Sequence, residues 1–511
     1  NPRSTNGGIE NTAANMIDFG KTGVLKSGEK ETLEFTINKE DMASYDYKNE
    51  GCYVLDEGDY ELSIRSDAHT ILDTVEYNVP ETIVYDEDNA RESDRQTATN
   101  QVDFAEGDGV VYLSRENGFE NYDEATAAPI DFTMDEDRKA NYQNITNYDI
   151  DSMNDNSEEM PTTGADNKIK LGALRGKDYD DEGWDAILDC LTVDEMVEMV
   201  RLGGWQTMAI DSISKPMSSD QDGPAGISGE LIMSDVDCMG YPNQELLAAT
   251  WNKDLALEFG KCIGEDGLSV NVQGWYAPGA GTHRTPLGGR NFEYYSEDTY
   301  LAGAMCANEV SGAQSKGMYC YLKHLVLNDQ EQRRYGISTF TTEQALRELY
   351  LTPFEMAVKD ADCHGMMAAF NGIGGIWCGA SKELITNVLG NEWGFHGIIV
   401  TDYASANEGY MFIDAGLQAG TDLWLNTDSD VYKMGDVSGN ATLVTALRNA
   451  SHDILYTVVN SSAMNGIDEN VVVKKVLPLW QYWLIAFDVV MAVIIIGGVL
   501  LVIRRCRKNN A

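Results

Sequence analysis

The chain has 511 residues, 43% of them hydrophobic and 9% aromatic, enough apolar material for about three ordinary domains and too much for a disordered chain. Its 37 Lys and Arg against 83 Asp and Glu leave a formal net charge of −46, which repels phosphate backbones and excludes sequence-independent nucleic-acid binding. A mean hydropathy of −0.32 excludes a multi-spanning membrane protein and leaves room for one span.

Residues 1–14 read as a loop, expected to be the end of an upstream domain of a longer protein. Residues 15–90 read as a small β-sandwich. Thr32–Ile37 and Tyr60–Ile64 alternate apolar and polar side chains with period two, and turn formers such as Lys26-Ser27-Gly28 and Asp56-Glu57-Gly58-Asp59 separate them. Residues 91–170 are acidic and poor in long apolar runs. They read as a linker draped over its neighbours, with short patches such as Val110–Leu113 expected to dock locally.

The pattern changes over residues 171–470. Four apolar runs, Gly317–Leu322, Gly365–Phe370, Gly397–Val400 and Gly420–Leu425, alternate with helical periods at Thr342–Tyr350 and Ser381–Leu389. Buried strands alternating with helices make a parallel sheet, and about 300 residues of them predict an α/β fold of the (β/α)8-barrel type. Farther on, Val476–Ile503 carries one charge, Asp488. That length spans a bilayer. Trp480, Tyr482 and Trp483 lie where an interfacial belt would, and Arg504, Arg505, Arg507 and Lys508 follow. The positive-inside rule then predicts a single-pass transmembrane helix at 476–503, a cytoplasmic tail at 504–511 and an extracellular barrel. Nine cysteines include no CxxC pair. The chain is large enough to fold without staples, so buried free thiols are expected, and no metal site is read.

Barrel chemistry collects where strands end. The first apolar run ends in Lys323-His324, the second in Asn371 and the third in Asp402; the fourth carries Asp422. Upstream lie Asp222, in Asp222-Gly223-Pro224-Ala225-Gly226, and Arg284 and Arg290 in a Gly-rich loop. Carboxylates mixed with Lys, Arg and His suit vicinal hydroxyls, and a buried Asp can attack an anomeric carbon. No Gly-rich loop with a Lys at a helix start is present for phosphate chemistry.

In order, these stretches resemble the catalytic barrel of family 3 glycoside hydrolases, the β-glucosidase group. They are Asp222–Gly226, Arg284–Glu293, Tyr295–Asp298, Lys323–Arg334, Glu392–Phe395 and Val400–Tyr403. Residues 15–90 resemble the family's fibronectin-III-like module. The resemblance implies a retaining, exo-acting β-glucosidase without cofactor. Asp402 would be the nucleophile, and Asp222, Arg290, Lys323 and His324 would hold the terminal sugar. Arg284 and Arg334 would brace loops, with Glu293 and Glu331 as their partners. Two departures stand out. Phe370 occupies the place of a Tyr whose hydroxyl lies near the nucleophile, which puts Phe370 in the substrate site without that hydrogen bond. The β module also precedes the barrel, as in permuted members, so the acid/base Glu would lie upstream of Asn1; nothing promotes Glu230 to that role. The alternatives are a weak or inactive cell-surface glycan-binding protein, and a β-xyloside as substrate. The family's N-acetylglucosaminidase branch has a second His soon after its Lys-His pair. The next His here is His364, which argues against that branch.

Overall fold

A computed structural model describes residues 9–509 except 108, 116–117, 129–132, 134–135, 137–138, 140–153, 229–237, 406–408 and 474–475. The chain divides into two compact units, Asn1–Val471 and Val472–Ala511.

The first unit opens with a β module. Strands β1 (Ser44–Asp46), β2 (Cys52–Leu55) and β5 (Ile83–Tyr85) form one antiparallel sheet, and β3 (Gly58–Arg65) and β4 (Ile71–Val79) form a hairpin. Tyr45, Tyr53, Leu55, Tyr60, Val79 and Tyr85 give the module its own core. The alternation at Tyr60–Ile64 lies in β3 as expected. The one at Thr32–Ile37 forms no strand, because it finds no ladder partner. Leu33 and Phe35 remain partly exposed and pack over Gly20 instead.

The acidic stretch docks, but not at the expected patch. Val110, Val111 and Leu113 are exposed, whereas residues 91–105 are sewn to the larger α/β part of the chain. The backbone N–H groups of Gln101 and Val102 donate to Glu343, the Thr99 N–H donates to Glu392, and Ala105 accepts from the Thr341 N–H. Arg347, 2% exposed, ties the seam together. It donates to Glu343 at 2.8 Å, to Glu392 at 2.7 Å and to the Thr99 carbonyl at 2.8 Å. Its guanidinium lies 4.7 Å from the Tyr45 ring centroid, which carries the seam to the β module. Removing one member of such a buried pair costs about 3–5 kcal/mol.

The large core belongs to a ring of short strands. β6 (Gln206–Thr207) pairs with β7 (Ser218–Gln221), β7 with β8 (Gly274–Trp275), and β8 with β9 (Tyr319–Cys320), which continues as β10 (Leu322–Leu325). A small side sheet holds β11 (Ser338–Thr339), β13 (Gly372–Ile373) and β14 (Ile376–Trp377). The ring goes on through β12 (Gly365–Ala368) and β15 (Ile398–Thr401), both parallel to β10. Val400 bridges Leu423, and the N–H groups of Gly203 and Gly204 donate to the carbonyls of Trp424 and Asn426, closing the circuit beside β6. Among the described residues the ring departs from the expected eight parallel strands: β7, β8, β9–β10, β12 and β15 are parallel, β6 runs antiparallel to β7, and Leu423 joins by a single bridge. The helical periods fold as helices in place, although the first widens to π-type bonding at Leu346–Tyr350 and the second is π-bonded throughout Glu383–Glu392.

The helices Lys253–Val270 and Thr299–Gln314 connect β7 to β8 and β8 to β9. Asn252 and Asp298 cap them through side-chain oxygens that accept the N–H groups of Leu255 and Leu301. A Cβ on Gly260 would lie 1.9 Å from the Glu309 carbonyl oxygen, so glycine is what lets these helices touch. Each helix returns the chain to the start of the next strand. Its N-terminus therefore lies at the end of the ring where strands finish.

The second unit is dominated by one helix, Leu479–Asn509. It is 31 residues long, with a mean hydropathy of 2.8 in its most apolar window. At 1.5 Å per residue it measures about 46 Å. By length and composition it is long and apolar enough to cross a membrane. Six of the cysteines are buried thiols outside any disulfide.

Candidate active site

The ring brings four of the expected groups together where its strands end. Asp222 follows β7, Lys323 and His324 lie in β10, and Asp402 follows β15. The turn after Asp222 is tight. The Ser228 N–H donates to the Asp222 carbonyl, and Gly223 adopts φ +112°. A Cβ there would lie 2.0 Å from the Gly226 carbonyl oxygen, which accounts for the glycine. Arg290 arrives from the loop after β8.

These groups form one chain of alternating charge. Lys323 Nζ lies 2.7 Å from Asp222 Oδ1 and 3.8 Å from Glu293 Oε2. Both Nε and Nη2 of Arg290 donate to Glu293, the latter over 2.9 Å. Arg290 Nη1 donates to His324 Nε2 at 2.8 Å, and His324 Nδ1 meets the Tyr294 hydroxyl at 2.9 Å. Guanidinium nitrogens only donate, so Nε2 is the accepting nitrogen and the imidazole proton sits on Nδ1, facing Tyr294. Burial pushes His324 well below its ordinary pKa, reinforced by Arg290, Lys323 and Arg334. The ring is neutral.

Asp402 ends this chain. Its Oδ1 accepts the Tyr403 N–H at 2.7 Å. Its Oδ2 is buried, lies 3.5 Å from His324 Nε2, and has no hydrogen-bond partner among the described residues. Two accepting atoms at that distance make no bond. Burial raises the Asp402 pKa to about 6, against the opposing fields of Arg290, Arg334 and Lys323. Asp222 goes the other way. Burial alone would raise it, but Lys323 at contact, helped by the Gly223 N–H and Arg290, holds it below the ordinary carboxylate range. A carboxylate oxygen free of donors and facing cations has the chemistry a nucleophile needs, and a carboxylate held by a lysine has that of a hydroxyl acceptor.

Phe370 is buried at 2% exposure just past β12. Its ring meets Tyr335 at 4.7 Å between centroids, and the Arg334 guanidinium lies 4.7 Å above it. Phe370 thus supports Arg334, which pairs with Glu331 at 2.7 Å while its field reaches Asp402. Glu293 pairs with Arg290 rather than with Arg284. Arg284 is largely exposed and reaches Tyr350 and Asp329. Asn371 donates to the Val326 carbonyl and is structural. Asp422 lies toward the other end of its run, where its Oδ2 accepts the Ile399 N–H at 2.7 Å. Glu230 lies outside the described residues.

Sequence reasoning missed Tyr294 and Asn328, whose side chains fix His324 through a 3.2 Å bond from Asn328 Nδ2 to the Tyr294 hydroxyl. It also missed Trp205, whose ring lies 5.8 Å from that of Tyr403. The signal for Trp205 was Gly203-Gly204, where added Cβ atoms would strike Leu423 and Thr427. Among the described residues no cluster of three or more His, Cys, Asp or Glu could hold a metal ion.

Residues 227–458 match the model of the glycosyl hydrolase family 3 N terminal domain, and residues 3–68 that of a fibronectin type III-like domain. The chain is 35% identical over 236 residues to beta-glucosidase B of Emericella nidulans, covering 46% of this chain and 28% of that protein. It is 28% identical over 422 residues to beta-glucosidase A of Butyrivibrio fibrisolvens, covering 78% and 48%. The solved structure of a beta-glucosidase from Paenibacillus barengoltzii superposes with a TM-score of 0.63 at 25% identity, over 83% of this chain and 47% of that one. The chain spans no more than about half the length of these relatives.

Proposed function

We propose that this chain, which carries a family 3 glycosyl hydrolase domain and a fibronectin type III-like domain, is the nucleophile-bearing part of a retaining, exo-acting β-glucosidase. The observation that carries the reading is the donor-free Asp402 Oδ2, buried beside Arg290, His324 and Lys323 at the end of the ring. Asp222 and Lys323 bind hydroxyls of the terminal glucose. Neutral His324 and Arg290 add further donors and acceptors once sugar displaces their mutual contact. Asp402 Oδ2 attacks the anomeric carbon, the bond to the leaving oxygen breaks, and a proton from an acid outside this group of residues makes the alcohol. Water then attacks the glycosyl ester, gives up a proton to the same base and regenerates the Asp402 carboxylate. The Leu479–Asn509 helix is read as a single-pass anchor in the cell membrane, with the ring outside and the basic tail in the cytoplasm.

The test is trapping. An activated 2-deoxy-2-fluoro-β-glucoside should add one fluoroglucosyl group to the complete protein, on the peptide containing Asp402. Asp402→Asn should abolish the label and lower nitrophenyl β-glucoside turnover by more than about a thousandfold. A folded protein that takes up no label and hydrolyses neither β-glucoside nor β-xyloside would refute the reading. One observation favours a second reading. Phe370 lacks a hydroxyl that could bond Asp402, which fits a glycan-binding protein with weak or no turnover.

A further inference from the structure

A second groove lies away from the strand-end cluster, between the start of the β module and the helix Lys253–Val270. Residues 18–21, 33–35 and 251–254 line it, and it encloses about 280 Å³, close to the lower limit of ordinary ligand pockets. Its walls are aromatic and unusually open for such side chains, with Trp251 41% and Phe35 46% exposed. Trp251 holds φ +52°, a left-handed conformation that a bulky residue rarely adopts. Outliers of this kind gather at functional sites.

The groove is fixed from below. Phe19, buried, stands edge-on to Trp251 with centroids 5.4 Å apart. Lys253 lies 4.7 Å from the Phe19 centroid and 2.6 Å from Asp18 Oδ1. Lys21 donates to the Thr250 carbonyl at 2.5 Å, joining the two walls. Phe35 rests on Gly20, where an added Cβ would lie 3.1 Å from its ring. Glu34, Asn252 and Asp254 supply a polar rim. The groove lies beside the N-terminus of the helix Lys253–Val270.

Open aromatic faces beside carboxylate and amide acceptors suit a ligand that is apolar on one face and rich in hydroxyls at its edge. A pyranose ring meets that description. A polyanion is repelled by the acidic rim, and an apolar peptide anchor finds hydrogen-bond acceptors where it needs greasy walls. We propose that this groove is a non-catalytic subsite that holds an internal glucose unit of a β-linked glucan, stacked on Trp251 and Phe35, while chain ends are presented to the strand-end site. The sugar class rests on the glucosidase reading; the site itself rests on the groove.

The test uses the full chain in detergent and a soluble mixed-linkage β-glucan, read by affinity electrophoresis and calorimetry. Trp251→Ala should weaken glucan binding about tenfold and Phe35→Ser less. Trp251→Phe should largely restore it. In the complete protein, Trp251→Ala should leave nitrophenyl glucoside kcat/KM unaltered. Glucan binding that survives both groove variants overturns the subsite and leaves the glucosidase reading standing. So does a protein that hydrolyses aryl glucoside but binds no glucan. Groove-dependent glucan binding in a protein that turns over no glycoside supports the subsite and refutes the activity.

Discussion

The two ends of the ring handle buried acid in opposite ways. Where the strands finish, Asp222 and Asp402 lie among Lys323, Arg290 and Arg334, and Asp222 stays ionised through contact with an ammonium. Toward the other end, buried Asp422 lies in the field of Asp453, with no cation's field to offset it. Burial and repulsion by Asp453 raise Asp422 well above its ordinary pKa. Burial raises Asp453 to about 7, where it accepts the Tyr179 hydroxyl at 2.8 Å. Tyr179 itself is sandwiched between the rings of His396 and His452, each 4.0 Å away. Burial alone makes an acid that keeps its proton. Burial with cations makes one that can give up its proton and still be poised to react.

The largest effect should come from removing the cation. Lys323→Met strands Asp222 and Glu293, and glucoside kcat/KM of the complete protein should fall about a hundredfold, near 3 kcal/mol. A change under threefold would mean that the alternating chain is scaffolding. Next comes Phe370→Tyr. If the added hydroxyl reaches the donor-free oxygen of Asp402, steady-state turnover should rise about tenfold, the value of one hydrogen bond to a charged group that acts in the transition state. The smallest effect separates the ends by pH. With Asp402 as the proposed nucleophile, kcat/KM should fall below about pH 6, above the range of a free carboxylate. At the other end, folded pKa values above the unfolded ones contribute stability that is complete below about pH 4 and lost as pH rises through about 7. Asp453→Asn should therefore stabilise the fold at pH 8 by up to a few kcal/mol, read as a higher Tm, and do little at pH 4. An equal gain at both values would remove the shared proton from the account.

Period and motif made much of the ring and its cluster legible. Lys323, His324 and Asp402 sit at the ends of apolar runs because a buried strand turns polar where it meets the mouth. Asp222 and Arg290 depended on resemblance, since a loop's path is not written in its period. Asp422 misled for a related reason. A short apolar run does not say which of its ends faces the mouth, and only the Ile399 N–H and its pairing beside β15 place it. The Thr32–Ile37 alternation failed because a strand needs a neighbour, and periodicity is silent on partners. Tyr294 escaped notice because its role is to orient another side chain from a loop.

The seam around Arg347 also dictates where the molecule can be cut. Composition places the barrel's start near Leu171, yet an expression boundary there would discard the backbone donors of Thr99, Gln101 and Val102. Glu343 and Glu392 would face water or an emptied cleft, and Arg347 would lose the Thr99 carbonyl. A shortened barrel should begin upstream of Arg91, whose guanidinium also reaches Asp94 and Glu355. Limited proteolysis should leave residues 91–105 attached to the barrel long after the exposed Val110–Leu113 stretch has been nicked.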